Sequence, residues 1–129
     1  MTSRQRRILV LDSDEQTLIE LQKTLEDYGF DTTVTWDTAE ALNLLRSRPY
    51  DLLVVGDHPP EVTGGEILRE LQYCRAAVPC VILQRGSKTF DPDYFYSLGA
   101  SGVITNWESL DLGRWVLQRL SQQRAAAAS

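Results

Sequence analysis

Short apolar runs alternate along the chain with longer segments whose apolar residues recur at helical spacing, and this alternation narrows the fold more than any other feature. A strand buried on both faces reads as a continuous apolar run, and joining such strands in parallel requires a crossover helix, so the pattern predicts repeated βα units around a parallel sheet. The runs are Ile8 to Leu11, Asp51 to Val55, Cys80 to Leu83 and Gly102 to Thr105, with a weaker β-branched run from Thr32 to Trp36 that suits a sheet edge.

Between them, helical spacing carries Leu18, Leu21 and Leu25 from about Glu15 to a stop at Gly29, with Ser13 and Gln16 as a capping box. Asp37 with Glu40 opens a second helix through Ala41, Leu42 and Leu45 that ends before Pro49. Ile67, Leu68 and Leu71 follow the pair Gly64-Gly65, and Asp91-Pro92 starts a short aromatic helix, Tyr94-Phe95-Tyr96, that closes at Leu98-Gly99. The last helix begins near Ser109 and turns Leu112, Trp115 or Val116, and Leu120 inward, with Gly113 a mild weakness inside it.

Five strands and five helices in strict alternation predict an α/β fold, a flavodoxin-like (βα)5 doubly wound five-stranded parallel sheet. Its site belongs at the carboxyl ends of the strands, which singles out Asp12, Ser13, Gly56, Asp57, Gln84, Arg85, Thr105 and Asn106. The domain is expected over residues 7–122, after a basic stub at 1–6 and before a tail or linker start at 123–129.

Composition excludes several classes. A chain of 129 residues suits one core, and 13 basic against 18 acidic residues, a net charge of -5, argues against nucleic-acid binding by phosphate neutralisation; the cluster Arg4, Arg6 and Arg7 does not reverse that. No apolar run is long enough for a membrane span or a signal peptide, so a cytoplasmic location is expected. Cys74 and Cys80 lack the companions of a zinc site or a disulfide framework and read as reduced thiols used in packing. His58, beside two prolines, reads as a loop residue, and Gly64-Gly65 lacks the spacing of a dinucleotide fingerprint.

The stretches ILVLDSDE, YDLLVVGDHPPEVTGGEIL, VPCVILQ and LGASGVIT, in that order, resemble the receiver domain of bacterial response regulators from Arg7 to about Gln122. The resemblance implies a two-component signalling domain that accepts a phosphoryl group from a histidine kinase on an aspartate ending the third strand. That chemistry needs a carboxylate nucleophile, a Mg²⁺ ion, a hydroxyl and a cation. Alignment on Asp51, Pro60 and Gly64 leaves Asp12 as the first acidic residue but puts Ser13 at the second acidic position and Gly56 at the phosphoacceptor. Gln84 replaces the hydroxyl, Asn106 the lysine, Trp107 the following proline and Val103 the aromatic partner of the switch.

The sequence therefore resembles a pseudo-receiver that acts through phosphorylation-independent protein contacts, is not an enzyme and needs no cofactor. One alternative uses Asp57 as phosphoacceptor with Asp12 holding Mg²⁺; another is a small flavodoxin-like binding domain with its ligand at Gln84, Arg85 and Asn106. The aromatic group Tyr94, Phe95, Tyr96, Trp107 and Trp115, with Val103, marks an expected partner or homodimer surface, the face of the fourth helix, fifth strand and fifth helix. The competing expectation is that about half of these rings point inward.

Overall fold

Side chains alternate across a strand, and in the central strands both sets are apolar and buried, so the sheet is covered on both faces. A computed structural model describes residues 5–74, 77–84, 91–105 and 108–128, with 109, 110 and 122–128 as backbone only. Its strands are β1 (Arg7–Leu11), β2 (Asp31–Thr35), β3 (Leu52–Gly56), β4 (Cys80–Gln84) and β5 (Gly102–Thr105). The helices are α1 (Glu15–Asp27), α2 (Thr38–Ser47), α3 (Gly64–Tyr73), α4 (Pro92–Ser97) and α5 (Ser109–Ala128). All pairings are parallel and the order is β2-β1-β3-β4-β5, the doubly wound sheet that the sequence predicts.

Ile8, Val10, Leu52, Val54, Val81 and Leu83 face one core layer with α1 and α5, while Leu9, Leu11, Leu53, Val55 and Ile82 face the other with α3 and α4. Leu112, Val116 and Leu120 seat α5; Trp115 lies beside that layer, with its ring 3.0 Å from where a Cβ on Gly102 would stand. At the amino ends of the strands, Arg6 pairs with Asp51 at 3.4 Å and Arg7 with Asp31 at 3.6 Å, so these two arginines have acidic partners within the domain.

Three local expectations need correction. Asp14, not Ser13, is the N-cap of α1, and Thr17 Oγ1 donates to Asp14 Oδ2 at 2.7 Å, which replaces the expected capping box. Cys80 is buried and its thiol is pushed up to about 12 by burial, but Cys74 is exposed and its Sγ accepts from Arg46 at 3.5 Å, so only Cys80 packs the core.

Gly113 is the third. Its hydrogen faces α1, and a Cβ there would stand 2.7 Å from Tyr28 Cδ2 and 3.2 Å from Thr24 Cγ2, so the glycine is a close-packing requirement. Replacing glycine by alanine inside a helix ordinarily gains about 1 kcal/mol. We expect Gly113→Ala instead to lose about 1–2 kcal/mol, because overpacking a closed contact costs more than propensity returns. A urea unfolding midpoint above that of the parent chain would contradict this contact.

Candidate functional site

The strand ends converge on Asp12, which follows β1 and is 1% exposed. Its Oδ1 accepts the Asp14 amide at 2.8 Å and lies 3.2 Å from His58 Nε2. Its Oδ2 is buried without a hydrogen-bond partner and is directed at Gly56. A Cβ built on Gly56 would overlap Oδ2 and come 2.6 Å from Asp12 Cγ. The carboxylate of Asp12 thus fills the volume that any side chain at position 56 would use.

Strand alternation explains the neighbours. Asp57 lies on the opposite face from Gly56, where it is 8% exposed and its Oδ1 accepts the Gly64 amide at 2.9 Å, tying the loop to the start of α3. It is a buried residue that holds a helix end. His58, one residue further, returns to the Asp12 side and is held by paired backbone bonds with Val62 at 2.8 and 3.0 Å. Sequence reasoning left His58 in a loop; the signal available was its parity with Gly56.

Gln84 is 1% exposed at the end of β4, Ser13 is half-buried, and Thr105 ends β5 in an exposed position. Arg4, Arg85, Asn106 and Trp107 lie outside the described residues.

Mg²⁺ requires near-octahedral oxygen donors. Asp12 Oδ1 is already engaged twice and Asp57 is turned to Gly64. Among the described residues no three His, Cys, Asp or Glu side chains converge to hold an ion.

Burial pushes the Asp12 carboxyl above the usual range, opposed by the Asp14 amide and by His58. Asp14 is held below it by Thr17. Because the Asp12 value is raised on folding, its contribution to stability is full below the unfolded value of 3.8 and is lost as pH rises through the folded value. Asp12→Asn is therefore expected to stabilise the domain by about 1 kcal/mol at pH 7 and to change little at pH 3. A lower urea midpoint for the variant at pH 7 would mean that attraction to His58 outweighs desolvation.

In the aromatic segment, Phe95 is fully buried, and Tyr94 is half-buried with its hydroxyl 2.6 Å from where a Cβ on Gly65 would stand. Tyr96 is 49% exposed and its hydroxyl accepts the amide of the half-buried Val103 at 3.2 Å. Among the described residues, the most exposed rings lie elsewhere, Trp36 at 71% and Tyr73 at 87%. Among the described residues no helix is long and apolar enough to cross a membrane.

With the fold and these positions in view, the comparisons with known proteins agree with one another. The response regulator receiver domain family model matches residues 8–111. The response regulator SaeR of Staphylococcus aureus is 31% identical over 98 residues, covering 75% of this chain and 42% of its own length, so the chain spans less than half of that relative. A CheY-like receiver domain from Methanospirillum hungatei superposes with a TM-score of 0.83 at 19% identity, covering 95% of this chain and 99% of the other. A chemotaxis response regulator of Vibrio cholerae gives 0.76 at 20% identity, covering 90% and 98%. The match across most of the chain settles its membership: it belongs to the response regulator receiver domain family, the receivers of two-component signalling.

Proposed function

We propose that this receiver works without aspartyl phosphorylation, as a protein-interaction module whose site is filled by its own Asp12–His58 pair. The observation that carries this reading is the overlap between a side chain at position 56 and the Asp12 carboxylate. A phosphoryl acceptor at the end of β3 would need that volume, a metal, and a cation to balance the phosphoryl dianion. Gly56 offers no nucleophile, Ser13 and Gln84 do not supply the second carboxylate and the hydroxyl, Asn106 stands at the lysine position, and the side chain beside Asp12 is His58. For Asp57 to serve instead, its carboxylate would have to leave the Gly64 amide and cross to the other face of the sheet.

The domain's state is then set by what binds it, and the exposed Tyr96 edge beside β5 is one candidate contact for a protein partner or a second copy. Beryllofluoride with Mg²⁺ mimics a bound phosphoryl group and tests the site itself. Backbone amide resonances at 12–14 and 56–58 are expected to stay unmoved at millimolar concentrations of both. Saturable shifts there would overturn the reading.

A further inference from the structure

Away from the strand ends, a cleft of about 460 Å³ opens between the start of α2 and the loop leading into α3. Its apolar lining comes from Leu42, Pro60 and Ile67, and its rim carries Glu61, Glu66 and Glu70. Arg69 also borders it, but its guanidinium lies 3.5 Å from Tyr94 Oη on α4. The three glutamates have no ion-pair partner within 4.0 Å among the described residues; Glu70 feels Arg46 only at longer range. Leu42 and Glu70 also line a second, smaller cavity of about 130 Å³ between the same two helices, with Leu45, Arg46, Leu71 and Cys74.

An apolar groove whose rim carries three glutamates without a close ion-pair partner selects its occupant by charge. We infer that the α2–α3 cleft docks a basic amphipathic segment of a protein partner, seating an apolar side chain between Leu42 and Ile67 and setting Lys or Arg against Glu61, Glu66 and Glu70. The volume is in the range of a built binding pocket and takes a few side chains. The inference rests on the reading of this domain as a binding module, and it places the contact on a different face from Tyr96.

The test uses the full 129-residue chain and a fluorescein-labelled twelve-residue Leu/Lys peptide with helical spacing, followed by fluorescence anisotropy, with a Leu/Glu peptide as its counterpart. Saturable binding of the Leu/Lys peptide alone is expected. Glu66→Lys/Glu70→Lys is expected to weaken it at least tenfold, whereas Glu26→Lys/Asp27→Lys, the same charge change at the end of α1, is expected to leave it within about twofold. Equal losses in the two variants would show general attraction to an acidic protein and would overturn the cleft, as would the absence of saturable binding. No phosphate enters this experiment, so its failure leaves the phosphorylation-independent reading standing.

Discussion

Gly56→Asp is expected to destabilise the domain at pH 7 by on the order of 3 kcal/mol, rather than to restore a phosphoacceptor. The new carboxylate would have to enter space already held by Asp12 Oδ2, a buried oxygen with no partner of its own. Two carboxylates in one buried site repel, and burial disfavours the charged form of each, while His58 Nε2 already faces Asp12 Oδ1 at 3.2 Å. Removing the first carboxylate should recover much of the loss. In urea unfolding of the parent, Gly56→Asp, Asp12→Ala and the double variant, a coupling of about 1–2 kcal/mol is expected. Additive effects would show that the two positions do not share a volume.

Phe95→Ala should cost about 3–5 kcal/mol, the range for emptying a fully enclosed aromatic site. Phe95 is 0% exposed in the layer formed by Ile67, Leu68 and Ile82, and its ring comes within 3.3 Å of where a Cβ on Gly64 would stand, so the site has little room to relax. Tyr96→Ala, one residue along, loses the bond to the Val103 amide and exposed surface, and should cost no more than about 1 kcal/mol. Thermal or urea unfolding of the two variants separates ring from ring. A small loss at Phe95 or a large one at Tyr96 would reverse the assignment of which aromatic builds the core and which remains available to a partner.

The scaffold was legible because its central strands β1, β3 and β4 are buried on both faces, so runs such as Leu52 to Val55 and Val81 to Leu83 stand out without any knowledge of what packs on them. The caps at Asp37 and Asp91 were equally direct, since each accepts amide bonds from the first turn of its helix. What a single strand of text conceals is contact across elements. Gly113 looked like a weak point because its value lies in Tyr28 and Thr24, on a helix far away in sequence. The role of Asp57 lies in a bond to the Gly64 amide, seven residues on, which no local pattern announces. His58 was the largest omission. Its meaning depends on Asp12, and only strand parity, extended two residues past Gly56, links them.

The central claim is that no aspartyl phosphate forms here, and intact mass measures it most directly. The chain is incubated with Mg²⁺ and a small acyl phosphate donor and sampled at short intervals. An unchanged mass is expected at every time point. A gain of one phosphoryl group, lost in Asp57→Asn, would contradict it and make Asp57 the acceptor.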